Sequence, residues 1–202
     1  MPGIGALAGV ACAAALLLVP GCVHTEREAP GAVRELTASE TIDGVPCAKG
    51  LADLDAEGRL RSCLLAGEHA FGGVTLPAGS GFHLRADGSL ESVLLRTGTT
   101  AELDGHLCGG GPGGWEATFH ANGRLASCFL AKFAVIEHVP CRSGGFPVGS
   151  RDGGLVRFHA NGRLESCVLS ELLPWDGYEY PPGTRVVFDD EGRINRAAMG
   201  LR

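Results

Sequence analysis

From residue 41 onward, apolar and polar positions alternate in short runs, and a turn signal cuts every run before ten residues. That is the period of strands and not of helices. One motif recurs five times: DLDAEGRLRSCLL (53–65), HLRADGSLESVLL (83–95), TFHANGRLASCFL (118–130), RFHANGRLESCVL (157–169) and VFDDEGRINRAAM (187–199). A second motif precedes each copy: IDGVPC (42–47), FGGVTL (71–76), LDGHLC (103–108), IEHVPC (136–141) and WDGYEY (175–180). The turn glycines 58, 88, 123, 162 and 192 stand 30 to 39 residues apart. Two motifs recurring in one order predict a repeat array. The expected fold is all-β: an antiparallel meander of about ten strands in five β-hairpin repeats, forming an elongated twisted sheet whose loops are closed by disulfides. The repeats run over about 41–69, 70–100, 101–133, 134–172 and 173–202.

The five copies decide the hairpin turn. A two-residue type I′ turn needs positive φ at Asn122 and its equivalents, where Glu57 and Glu191 stand in two copies. Glutamate tolerates that conformation badly. A three-residue loop, a type I turn closed by a left-handed glycine, asks it of the glycine alone. Its register pairs Leu54 with Leu60, Leu84 with Leu90, Phe119 with Leu125, Phe158 with Leu164 and Phe188 with Ile194. It also sets Asp55 against Arg59, Asp189 against Arg193 and Arg157 against Glu165. Past a recurring serine (Ser62, Ser92, Ser127, Ser166) the strands turn apolar on both faces, so part of the second face is expected to be covered. The Asp-Gly or Gly-Gly step of the second motif supplies the return turn between repeats, with Glu137-His138 as the variant.

Six cysteines lie among the repeats: Cys47, Cys63, Cys108, Cys128, Cys141 and Cys167. Copies one, three and four carry a cysteine in both motifs; copies two and five carry neither, with Leu76 and Val93, and Tyr180 and Ala197, in those places. Joint loss predicts Cys47–Cys63, Cys108–Cys128 and Cys141–Cys167. Each bridge would clamp the base of a loop of different length and require an oxidising compartment. Thiolate-bound zinc is disfavoured, because the chain has no CxxC.

Ahead of the repeats, residues 4–19 (IGALAGVACAAALLLV) are apolar or small. The run falls short of the ~20 residues of a membrane-spanning helix and suits a signal-peptide core. It ends Leu18-Val19-Pro20-Gly21-Cys22, which resembles the bacterial lipobox. The resemblance implies a signal peptide over 1–21, cleavage before Cys22, and a diacylglycerol on that thiol. Plain secretion and an uncleaved anchor are the alternatives. Residues 22–40 are expected to form a flexible tether, leaving 41–202 as the β domain. Val23 is not the aspartate associated with inner-membrane retention, which points toward the outer membrane.

Composition narrows the function. A net charge of -6 and no basic stripe argue against nucleic acid. Glu102, Asp104, His106 and Cys108 alternate and would share one strand face, the one arrangement suggesting a metal; a polar strand edge with Cys108 in its bridge is the preferred account. His120 and His159, before the turn glycine, alternate with Asp55, Arg85 and Asp189 in other copies and mark an exposed strand end. The GGGPGG run (109–114) lacks the Lys-Ser/Thr of a phosphate loop and no helix pattern follows it. No catalytic residues, cofactor or metal are expected. Leu173–Tyr180 holds Trp175, Tyr178 and Tyr180, which either cap the last repeat or, with Trp115, offer an aromatic surface to a sugar or protein partner.

The φ-x-x-N-G-R-L hairpin, seen in HANGRL at 120–125 and 159–164, resembles the MORN-like β-hairpin repeats of bacterial proteins. That likeness implies a scaffold or interaction surface over about 41–199. The expectation is an exported lipoprotein of the cell envelope, membrane-tethered through its lipid, whose repeat body is a non-catalytic binding or structural module for a protein or glycan partner. An immunity-type, antitoxin-like inhibitor of a toxin is the alternative, and an enzyme of unknown class comes third.

Overall fold

The structure, a computed structural model, describes residues 31–112, 114–144 and 153–200. The signal-like run, Cys22 and the first part of the tether lie outside them, as does residue 113 and most of the loop between Cys141 and Leu155. No helix among the described residues is long and apolar enough to cross a membrane.

A ten-stranded antiparallel sheet runs through the molecule in chain order. Its strands are β1 (Ala32–Leu36), β4 (Gly50–Leu54), β5 (Leu60–Leu64), β8 (Gly81–Leu84), β9 (Leu90–Leu94), β12 (Glu116–Phe119), β13 (Leu125–Phe129), β16 (Leu155–Phe158), β17 (Leu164–Val168) and β20 (Arg185–Val187). Between successive pairs the chain leaves the sheet and makes a separate two-stranded hairpin: β2 (Glu40–Ile42) with β3 (Val45–Cys47), β6 (His69–Phe71) with β7 (Val74–Leu76), β10 (Thr100–Leu103) with β11 (His106–Gly109), β14 (Ala134–Ile136) with β15 (Val139–Cys141), and β18 (Leu173–Trp175) with β19 (Tyr178–Tyr180). The meander of five hairpin repeats is therefore as expected. The second motif does more than turn the chain: each copy is a small hairpin of its own.

The turns follow the residue chemistry. Gly58, Gly88, Gly123, Gly162 and Gly192 all have φ of 81 to 85°, and the residues before them stay out of that region. The apolar pairs meet as predicted, from Leu54 with Leu60 to Phe188 with Ile194. The small hairpins use the other turn, with Asp43-Gly44, Asp104-Gly105 and Asp176-Gly177 both left-handed, as a type I′ turn requires. Glu137 and His138 adopt the same conformation at φ 48 and 69° without a glycine.

One pairing differs. Arg157 stands opposite Ser166 and not Glu165, because the sheet hairpins of the first four repeats each carry a β-bulge one residue after the apolar pair. Arg61, Glu91, Ala126 and Glu165 are the extra residues. Each bulge resets the alternation, so Cys63, Val93, Cys128 and Cys167 return to the buried face.

That face carries the core. Cys63 pairs with Phe82, Phe82 with Val93 and Val93 with Ala117; Cys128 pairs with Val156 and Cys167 with Val186. All are buried in one continuous cluster, with the small hairpins laid over them. Three disulfides, Cys47–Cys63, Cys108–Cys128 and Cys141–Cys167, bolt hairpins β2–β3, β10–β11 and β14–β15 to the sheet. In the second repeat Leu76 and Val93 fill the vacant cysteine places and are wholly buried. The fifth copy departs: Tyr180 is buried, but Ala197 is exposed because the chain turns away after Ile194.

One further expectation changes. Ala32–Leu36, assigned to the tether, pairs with β4 along its whole length and forms one edge of the sheet. Four of its five residues are exposed, so backbone bonds and not burial hold it, and no apolar period announced it. The second face of the sheet is partly covered, as expected: Ser62, Ser92 and Ser166 are buried and Trp115 stacks on Phe129, whereas Leu64 and Leu94 remain 46% and 45% exposed.

Candidate binding surface

The repeated polar residues lie along the turn edge of the sheet, and there each repeat holds the next. The carbonyls of Leu84, Phe119, Phe158 and Phe188 each accept a hydrogen bond from a side chain of the preceding repeat. Arg61 Nε donates to Leu84 O at 2.6 Å, an Arg85 nitrogen to Phe119 O, His120 Nε2 to Phe158 O at 2.8 Å and His159 Nε2 to Phe188 O at 3.0 Å. His120 and His159 are thus half-buried staples between repeats and not exposed strand ends. Satisfying such a carbonyl is worth about 1–2 kcal/mol.

The Asn-Gly-Arg turn has the same task. Asn122 donates to Ala160 O at 2.7 Å and Arg124 to Asn161 O at 3.0 Å. One repeat later, Asn161 donates to Asp190 O at 3.0 Å and Arg163 to Glu191 O at 2.5 Å. Each arginine lies across the next turn glycine: a Cβ on Gly162 would meet the Arg124 guanidinium at 2.2 Å, and one on Gly192 would meet Arg163 at 2.2 Å. The motif that suggested a family resemblance is therefore a clasp made of side-chain-to-backbone bonds.

The clasp lapses in the first two repeats. Arg59 folds back onto Asp55 at 2.7 Å and Glu57 at 3.4 Å, and Ser89 occupies the arginine position of the second copy. A Cβ on Gly88 or Gly123 would meet nothing within 4 Å. The space left open is a cleft of about 840 Å³ bordered by hairpin β6–β7, the turns at Gly58 and Gly88, Arg85 and Leu90. Its carboxylates are committed. Burial pushes the Asp55 carboxyl up, but the Arg59 N–H and guanidinium outweigh it and hold it below the usual carboxylate value. Asp87 is lowered by the hydroxyl and N–H of Ser89.

The second sheet face carries a polar row. Asp53, Ser62, His83, Ser92, Thr118, Ser127, Arg157 and Ser166 succeed one another partner by partner across the strands. Ser62 donates to Asp53 at 2.5 Å, and Thr118 and Ser127 share a bond of 2.7 Å. The recurring serine is thus the centre of this row, flanked by the exposed leucines 51, 64 and 94.

The aromatic candidates do not form one surface. Trp115 stacks on Phe129 with centroids 4.7 Å apart, and its ring lies where side chains on Gly111 or Gly144 would be. The glycine-rich run thus makes room for an indole. Tyr180 is buried, and Trp175 packs edge-on against Phe188 at 5.6 Å, as a cap on the last repeat would. Tyr178 is exposed, with the Arg196 guanidinium 3.9 Å above its ring.

The alternating acid and histidine of residues 102–108 do not converge. Cys108 is in a disulfide, Asp104 accepts from Arg124 and Leu125 at 3.2 Å each, and His106 stacks on Phe158 at 4.4 Å. Burial holds the His106 pKa below its ordinary value. Asp189, Asp190 and Glu191 lie close together on the last turn, but Arg193 pairs with two of them at 2.8 Å.

No protein-family model matches the chain, nor does any curated protein or solved structure.

Proposed function

We propose that the protein is a lipid-tethered binding module of the cell envelope, held to its membrane through Cys22 and presenting the repeat sheet as a rigid contact surface. One observation carries this reading: the recurring polar groups of the turn edge are engaged with the backbone of the next repeat, so the array behaves as a scaffold, and a cleft of about 840 Å³ lies where that pattern lapses. The three disulfides favour an oxidising compartment, which agrees with export. The lipobox-like run places the anchor some ten residues before β1. A tether of that length keeps the sheet close to the bilayer surface.

The test has two parts. Labelled palmitate should enter the protein in envelopes and be absent from the Cys22→Ala variant; labelling that survives the substitution would sink the anchor. Affinity capture from cell envelopes with oxidised and with reduced protein then tests the module. Partners lost on reduction support a contact surface held by the disulfides, and unchanged capture counts against it.

A further inference from the structure

The repeats contain an internal comparison. In the first and third, the aspartate opening the small hairpin's turn sends a carboxylate oxygen to the backbone N–H of the leucine after the sheet hairpin's turn. Asp43 accepts from Leu60 at 2.7 Å, and Asp104 from Leu125 at 3.2 Å. Both aspartates are left-handed, at φ 50 and 47°. In the second repeat the same position is Gly72, with φ 59°, and the corresponding leucine is Leu90. Leu90 opposes Leu84 in the register that Leu60 keeps with Leu54 and Leu125 with Phe119. Its N–H is offered no carboxylate from the hairpin, and both Gly72 and Leu90 border the 840 Å³ cleft.

A positive charge waits beside that position. Arg85 donates to the carbonyls of Leu90 and Phe119 and acts at longer range on the Asp87 carboxylate, which Ser89 holds by hydrogen bonds, so its charge has no direct ion pair among the described residues. His69 and Phe71, in edge contact at 4.7 Å, form one wall together with Val74. The volume is within the ~300–1,000 Å³ of small-ligand sites and far exceeds a single carboxylate.

We propose that this cleft binds an acidic peptide segment, an Asp or Glu side chain taking the place that Asp43 and Asp104 hold in their own repeats. One oxygen accepts the Leu90 N–H, the charge faces Arg85, and neighbouring peptide residues lie along His69, Phe71 and Val74. This deepens the binding-module reading and rests on it by naming the ligand chemistry of one site.

The probe is an acetylated, amidated peptide with the sequence of residues 100–107, TAELDGHL, titrated into the oxidised, isotope-labelled full chain while the Leu90 amide is followed by NMR. The Leu90 signal should move saturably. The Asn peptide, with Asn in place of Asp and Gln in place of Glu, should need at least ten times the concentration, because a charge-assisted bond is lost. Free acetate at the same concentration should leave the signal in place; if it reproduces the shift, the site takes a bare carboxylate and the peptide proposal fails. Gly72→Asp should supply the carboxylate from within and abolish the response. Should that variant not fold, Arg85→Gln serves, weakening the Asp peptide several-fold and leaving the Asn peptide unchanged. A Leu90 amide that ignores the peptide, or a response that survives Gly72→Asp in the folded variant, overturns the proposal. Such a failure is distinguishable from failure of the envelope module, which is read from palmitate labelling and envelope capture.

Discussion

The clasp between repeats can be weighed with one substitution made at two turn glycines. Gly58 and Gly162 have nearly the same backbone, φ 82 and 85°, so alanine at either carries the same left-handed penalty of roughly 1–2 kcal/mol. Their surroundings differ. Nothing lies within 4 Å of a Cβ on Gly58, whereas one on Gly162 falls 2.2 Å from the Arg124 guanidinium. A guanidinium is the free end of a flexible chain, so it swings away and the extra cost is limited to the bonds it makes. Those are the 3.0 Å bond to Asn161 O and the 3.2 Å contact with Asp104. Arg124 is nearly half exposed, so solvent reduces the two together to about 0.5–1 kcal/mol. Gly162→Ala should therefore cost that much more than Gly58→Ala in urea unfolding, with unchanged m-values. In an Arg124→Ala background the difference should vanish, since the methyl then displaces nothing. Equal costs in the parent protein, or a difference that persists without Arg124, would refute the clasp.

Other consequences are open to direct measurement. His159→Leu leaves the Phe188 carbonyl without its 3.0 Å donor and should lower stability by about 1–2 kcal/mol, read as a shifted denaturation midpoint. Replacing Cys108 and Cys128 together by alanine opens a link across 20 residues and should cost about 3 kcal/mol, whereas no change would show that the bridge does not constrain the unfolded chain. His106 is depressed by burial from 6.5, so the unfolded chain binds the extra proton first; stability should fall as pH drops below about 6.5 and level off below the folded pKa. His106→Phe, which keeps a ring against Phe158, should reduce that acid-side loss, and an unchanged pH profile would count against it.

The features that the chain revealed and those it hid have physical reasons. Glu57 and Glu191 sit where a type I′ turn would demand positive φ, so five copies sufficed to settle turn and register. Cysteines that vanish in pairs exposed their partnership, as the bridges bear out. The separate small hairpins were not visible, because an Asp-Gly turn looks the same whether it joins strands of one sheet or heads a hairpin folded over it. The bulges were hidden too, since one extra residue per hairpin leaves the apolar pairs intact and only redirects the side chains beyond it. The edge strand β1 escaped notice because its stability comes from backbone bonds to β4 with mostly exposed side chains. The clasp residues join carbonyls 28 to 38 positions away. A backbone carbonyl carries no residue signature, so no complementary pattern marks the acceptor. One signal was available in hindsight. Arg59, Ser89, Arg124, Arg163 and Arg193 occupy one position, and only the second copy lacks the arginine. That same copy replaces the hairpin aspartate with Gly72, so two losses coincide at the cleft.

The proposed export and the three bridges meet in one claim: the array is covalently stapled, each link joining a small hairpin to its own stretch of sheet. A peptide map of the protein recovered from envelopes without reduction tests it most directly. The account predicts three linked peptide pairs, Cys47–Cys63, Cys108–Cys128 and Cys141–Cys167, with none of these six thiols free. A Cys63–Cys141 peptide, or six free thiols in freshly isolated protein, would contradict it.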